Sequence, residues 1–361
     1  MKETPEISVI MSVYNGEEYL AEALDSICAQ SFEEWELIVI NDCSSDNTQT
    51  VLDKYVKLDR RIKVHCNEVN LKLPASLNKA VSLAQGKYIV RMDADDICLP
   101  DRLEKQYYFM EKHTDVILSS CRFMTLRDGT VSSGGGGGKG DPESIKALLL
   151  VTNPLLHPGV IAKKEFMQKL KYDTSLTCTE DLELWTRAAK QNYKMAIQDA
   201  YLMLYRIHNK QITETTLERQ YKEVLKIQKK YCPELFESMD TEQEKFYIHG
   251  IYFRENMDIE RFGEFYRRVK TLNKELGFFD SEALNYAFFE ILAEYKRCGT
   301  SPSGIFKGML NFKITFLVKE LFARKQRARN DGRKCIEAAE KIGLKHSGGS
   351  CEFPRFSRVR D

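Results

Sequence analysis

Residues 87–103 read KYIVRMDADDICLPDRL. A short apolar run passes directly into Asp93-Ala94-Asp95-Asp96, and Pro100-Asp101 opens a helix. Proline suits a first helical turn and an acid suits the positive end of its dipole. Three carboxylates in four residues repel one another unless a cation sits among them. A hard divalent ion, Mg2+ or Mn2+, is the natural partner, because it takes one or two carboxylates and completes its shell with phosphate oxygens and water.

The segments before this loop alternate between two periods. Ile7–Val13, Trp35–Ile40, Arg61–Cys66 and Lys87–Met92 are apolar runs of strand length. Between them, Glu17–Ala29, Asp46–Leu58 and Pro74–Ala84 carry helical spacing. That order predicts βαβ units and a mostly parallel sheet, whose ligands bind beyond the carboxyl ends of the strands. Those ends are Tyr14-Asn15, Asn41-Asp42 and Asp93–Asp96. The pattern then loosens into one or two strands over Val116–Thr125, a helix near Pro142–Val151, a strand near Gly159–Ala162 and a helix over Glu180–Gln191. The Gly-rich stretch Ser132–Gly140 reads as a hairpin tip or as a lid.

The 361 residues hold 54 Lys+Arg against 53 Asp+Glu, and 43% are hydrophobic. A net charge of +1 excludes a nucleic-acid binder that works by bulk charge. The ten cysteines contain no C-x-x-C pair, and MKETPEISVIMSVYN lacks the apolar core of a signal peptide. Reduced cysteines, a cytoplasmic location and no membrane-spanning segment are therefore expected. From residue 300 onward the charge is +8, leaving −7 on residues 1–299. The apolar stretch around Ile305–Phe322 followed by basic residues suits the face of an anionic membrane, or else a helix packed on the preceding domain with a solvated basic end.

The segments ISVIMSVYNGEEYLAEALDSI, ELIVINDCSSDNT, GKYIVRMDADDICLPDRLEKQ and TEDLELWTRAAK resemble those of family 2 glycosyltransferases with the GT-A fold, bacterial enzymes of surface-polysaccharide synthesis above all. The resemblance spans residues 6–210. It implies an α/β GT-A domain over residues 1–211, with a donor-binding half 1–100 and an acceptor-side half 101–211. A helical region would follow over 212–330, then a basic, loosely ordered tail over 331–361.

The resemblance also implies roles. Val13, Tyr14, Asn15 and Glu17 would lie against the donor nucleoside, and Asp42 would accept from its base. Asp93, Ala94 and Asp95 would face the nucleotide-sugar, with Asp95 as direct metal ligand and Asp93 beside the ribose or metal. Leu77 stands where many relatives carry an arginine, so Lys72 is either its substitute or a solvated loop lysine, and Asn78 keeps the family amide. Asp181 falls on the general base of inverting relatives, with Glu180, Trp185 and His157 on the acceptor side. His208 matches a tail motif whose imidazole joins the metal shell, although a lone histidine in a turn is more often a hydrogen-bonded surface residue.

The implied activity is an inverting, Mn2+- or Mg2+-dependent transfer from a nucleotide-sugar, preferably a UDP-sugar, to a glycan or glycolipid hydroxyl, at or near the inner face of the membrane. Two other readings are a nucleotidyltransferase on a similar α/β domain and a degenerate sugar-nucleotide-binding protein. A Gly-rich triphosphate loop is missing for the first. The retained Asp93, Asp95 and Asp181 argue against the second.

Overall fold

Strands β1 (Ile7–Val13), β2 (Trp35–Asn41), β3 (Ile62–Cys66) and β4 (Tyr88–Arg91) lie side by side in the order β3-β2-β1-β4, all parallel. Helices α1 (Leu20–Cys28), α2 (Thr48–Leu58) and α3 (Leu73–Leu83) connect them. This is a computed structural model, and it describes residues 4–134, 138–208, 217–255, 258–295, 308–341, 346–347 and 350–352. Every residue of β2 is buried, as the uninterrupted apolar run WELIVIN requires of a strand covered on both faces. The register aligns Val13 with Asn41 and Ile10 with Arg91. Tyr14, Asp42 and Asp93 therefore leave the sheet at one edge.

Beyond β4 the sheet changes character. β8 (Ile161–Lys163) pairs antiparallel with β4 and with β6 (Val116–Arg127), and β7 (Thr130–Ser133) closes a hairpin on β6. β9 (Lys194–Arg206) runs parallel to β6 and antiparallel to the two-residue strand β5 (Ile97–Cys98). Two short strands, His346–Ser347 and Ser350–Glu352, extend the β7 edge. By length of paired backbone the sheet is mostly parallel, as expected. Helices α4 (Arg102–Lys112), α5 (Pro142–Leu148), α6 (Lys164–Leu170) and α7 (Glu180–Lys190) fill the connections.

The hairpin tip is Asp128-Gly129, both with positive φ, the two-residue turn whose twist matches the strands. The Gly-rich stretch is thus not the tip. It follows β7, and Gly134, Gly138 and Lys139 face the central cavity. Residues 135–137 lie outside the described residues, as does the expected division between residues 211 and 212.

The C-terminal region is helical over Leu217–Tyr231, Ile259–Leu276, Ser281–Tyr295 and Ile314–Lys341, with a π-helix at Phe246–Tyr252. One hydrophobic cluster joins it to the sheet, running from Ile10, Ile38 and Trp185 to Phe262, Phe288 and Phe312. Helix 314–341 continues straight through residue 331, where a loosely ordered tail was expected. Its inner face docks on the catalytic half: Ala338 and Ala339 pack with Ile97, Leu99 and Leu204, and Lys334 and Arg122 both bridge to Asp199. Cys28, Cys43, Cys66, Cys98, Cys121, Cys178, Cys232 and Cys335 are free thiols. No helix among the described residues is long and apolar enough to cross a membrane.

Candidate active site

The strand ends open into a cavity of about 1530 Å3. Val13, Tyr14, Asn15, Glu17, Asp42, Lys72, Asp93, Ala94, Asp95, His157, Glu180, Asp181 and His208 all line it. The fold thus gathers thirteen of the fifteen anticipated residues, from segments almost two hundred positions apart.

On the β1–β2 side, Asn15 and Glu17 tie two loops together. The Asn15 carboxamide accepts from the Ser45 N–H at 2.8 Å, and Glu17 accepts from the Asn47 N–H at 2.9 Å and its side-chain amide at 2.7 Å. Tyr14 remains 54% exposed, an aromatic face presented at a strand end. Asp42 is buried, and its carboxylate accepts from Asn67 Nδ2 (2.7 Å) and from the Leu71 and Lys72 N–H groups (both 2.8 Å). Those bonds hold Lys72 at φ 71, ψ 166, a conformation that costs a side-chain-bearing residue about 1–3 kcal/mol and persists only where surroundings impose it. The bonds to Asp42, which outweigh this strain, keep Lys72 at the cavity wall.

Two expected contacts are corrected. Asn78 does not line the cavity. Its side-chain amide donates to the Tyr172 carbonyl and accepts from the Tyr172 N–H, both at 2.9 Å, clamping α3 to the segment before α7. Trp185 is fully buried and lies edge-on behind His157, with ring centroids 6.0 Å apart. The apolar face of α7 that carries it turns into the core.

The carboxylate oxygens of Asp93, Asp95 and Asp96 come within 4.8 Å of one another. Asp93 pairs with Arg91, and Asp95 Oδ2 lies 3.0 Å from His208 Nε2. Asp96 is fully buried, with Oδ1 accepting from the Arg206 N–H at 2.9 Å and Oδ2 without a partner. Burial pushes the Asp93 and Asp96 carboxyls above the usual range, and neighbouring acids add to it. An orphaned buried oxygen inside a ring of hard acidic donors fits a divalent cation. Asp95 and Asp93 would hold it, with His208 beside them.

Asp181 sits part-buried at the start of α7. Its Oδ2 accepts from Asn153 Nδ2 at 2.7 Å, and burial raises its pKa. Burial, then the Asp181 charge, pushes Glu180 up to about 7. His157 bonds Tyr172 Oη through Nε2 at 2.9 Å, and its Nδ1 is 3.8 Å from Glu180. Burial, then the Arg91 charge, lowers the imidazole pKa well below its ordinary value, so it is neutral at pH 7.

Residues not anticipated from sequence hold this arrangement. Arg91 is buried and feels Asp93 and Glu180 together. Arg102, fully buried, donates to the Arg91 carbonyl (2.8 Å) and the Pro158 carbonyl (2.7 Å), fixing the acidic loop against the His157 turn. An arginine closing the apolar strand YIVR was the available signal for the first. Asp93, Asp95, Glu180 and Asp181 thus face one cavity with Arg91 beside them, while Arg254, Arg324 and Arg327 line it from the C-terminal helical region. Around the acidic loop and the start of α7, counting the buried Asp96 and its partner Arg206, carboxylates outnumber arginines.

A family model described as Glycosyl transferase family 2 matches residues 8–131. An uncharacterized glycosyltransferase of Methanocaldococcus jannaschii is 36% identical over 209 residues, 57% of this chain and 72% of the relative. The chain belongs to glycosyltransferase family 2. The O-antigen biosynthesis glycosyltransferase WbnJ of Escherichia coli is 31% identical to it over 217 residues, 58% of this chain and 83% of WbnJ. Among solved structures, S. aureus TarS 1–349 in complex with UDP-GlcNAc superimposes with TM-score 0.54 at 19% identity, covering 89% of this chain and 92% of that one. That match supports a shared GT-A fold for this glycosyltransferase.

Proposed function

We propose that this glycosyltransferase moves a sugar from a UDP-sugar to a hydroxyl of a growing, lipid-linked surface polysaccharide, with inversion. The observation that carries the reading is the facing of a cation-demanding acidic loop and a carboxyl of raised pKa across one cavity. Asp181 removes the proton of the acceptor hydroxyl, held in aim by Asn153. The oxygen then forms a bond to the anomeric carbon as the bond from that carbon to the diphosphate oxygen breaks. One displacement inverts the centre, and the nucleoside diphosphate leaves. When bound, Mn2+ or Mg2+ supplies charge stabilisation for that leaving group. Tyr14 and Lys72 hold the nucleotide end, and His157 and Glu180 shape the acceptor side. The surface-polysaccharide role rests on kinship to a relative named for O-antigen biosynthesis. The proposal keeps the division into a catalytic portion through residue 211 and a helical one after it.

A thermal-shift screen of nucleotide-sugars with and without Mn2+ tests the donor. UDP-sugars raise Tm only with the metal present, by an increment that grows with ligand concentration. A shift by no nucleotide-sugar overturns the reading.

The proposal includes contact with the membrane. Helix 314–341 exposes Val318 (63%) and Phe322 (64%) on the face away from the sheet, followed on that face by exposed Lys325, Arg329 and Arg333. Apolar anchors beside cations suit an anionic interface. The protein co-sediments with phosphatidylglycerol vesicles and not with pure phosphatidylcholine. The pair Val318→Ser and Phe322→Ser lowers that binding about tenfold, since two large apolar side chains no longer insert. Binding unchanged in the pair removes this face as the contact.

A further inference from the structure

Pockets for one small ligand run to about 300–1,000 Å3. This cavity, at about 1530 Å3, has room for a second. The strand ends and the acidic loop form one wall. The other comes from the C-terminal helices, through Arg254, Glu290, Glu294, Arg324 and Asp331 among others.

Arg254 is the most unusual of these. It follows the π-helix Phe246–Tyr252, a form that is rare and concentrates at functional sites. Its backbone sits in the left-handed region at φ 58, which a non-glycine residue occupies at a cost. The guanidinium forms an ion pair with Glu294. It shares the cavity with Asp181, and Tyr252, two residues earlier, feels the charges of both. One turn along helix 281–295, Glu290 pairs with Arg324 at 2.9 Å. Each cation on this side of the cavity already has a carboxylate partner, Arg254 with Glu294, Arg324 and Arg327 with Glu290, and Lys139 with Glu320, so none stands ready to seat an acidic ligand. A guanidinium–carboxylate pair offers several donors and several lone pairs in one plane. That combination matches a sugar, whose adjacent hydroxyls each donate and accept.

We infer that the Arg254–Glu294 pair, backed by Glu290–Arg324, is the acceptor subsite, and that it binds an uncharged sugar unit through its hydroxyls and selects which hydroxyl meets Asp181. This rests on the glycosyl-transfer reading above. The C-terminal helices thereby set acceptor choice while the strand ends set donor choice.

The test uses the full chain, the nucleotide-sugar found by thermal shift, and methyl glycosides of neutral hexoses, N-acetylhexosamines and glucuronic acid as acceptors, read by nucleotide release. The parent uses a neutral glycoside. Arg254→Gln and Glu294→Gln each raise its KM about tenfold or more, the loss expected when a charge-assisted hydrogen bond is removed. Their affinity for UDP with Mn2+ stays within about twofold of the parent. Glu290→Gln supplies a second test if either variant folds poorly, and saturation-transfer NMR of the glycoside reads binding without turnover. A parent that transfers while all three variants keep its acceptor KM overturns the subsite alone. Preference for the glucuronide overturns the uncharged-sugar assignment. A parent that binds no nucleotide-sugar overturns the transferase reading and this inference with it.

Discussion

Asp181→Asn lowers kcat by about 10²–10⁴, the usual contribution of a positioned general base, and leaves UDP affinity in Mn2+ within about twofold. The amide keeps the shape of the carboxylate and can still accept from Asn153 Nδ2, now 2.7 Å from Asp181 Oδ2, so the site stays folded while losing its proton acceptor. The pH profile separates this from general damage. A base works only when ionised, so the parent rate falls as pH drops through the Asp181 pKa. Burial raises that pKa, which places the acid limb above the ordinary aspartate value of about 3.9. Burial and the Asp181 charge push Glu180 up to about 7, so it is still protonated and uncharged where Asp181 ionises, and Glu180→Gln leaves the acid limb in place. Transfer that survives Asp181→Asn within about threefold would remove it as the base.

Much of this site could be read from the chain because its parts are local. A β-strand running into an acidic turn puts Asp93 and Asp95 at a strand end whatever the rest does. The same holds for Val13–Tyr14 after β1 and Asp42 after β2. What escaped was non-local. Asn78 meets Tyr172 across 94 positions, and nothing near Asn78 hints that its amide is already satisfied. Strand β9 escaped for a different reason. KMAIQDAYLMLYR has apolar residues enough, but Gln198–Ala200 interrupt them where the pairing with β6 slips, Cys121 facing Gln198 and Arg122 facing Tyr201. A bulge breaks the alternation that marks a strand. Trp185 was misplaced although its signal was present: Leu182, Trp185 and Ala189 share a helical face that is entirely buried. The basic C-terminal stretch divided its two readings between two faces of one helix. Arg324 pairs inward with Glu290, while Lys325 and Arg329 point out.

Asp95→Asn lowers transfer by about 10²–10³, comparable to losing one preorganised group that stabilises developing charge, and abolishes the Mn2+-dependent part of the UDP thermal shift. Asp95 is the member of the acidic cluster best placed for a ligand role. Asp93 is already paired with the buried Arg91, and Asp96 is buried against the Arg206 backbone, whereas Asp95 is partly exposed and its side chain meets the His208 imidazole. His208→Ala distinguishes ligation from support. A histidine that merely orients Asp95 gives a tenfold or smaller loss when removed, in line with partners one step out from a metal. One that ligates gives a loss close to that of Asp95→Asn. Chelation of the parent should reproduce the Asp95→Asn rate, and added Mn2+ should restore the parent but not the variant. A chelated parent that keeps its full rate would show that the charge deficit among Asp93, Asp95, Asp96, Glu180 and Asp181 is met by Arg91, Arg206 and the substrate's own surroundings, and the metal assignment of Asp95 would fall.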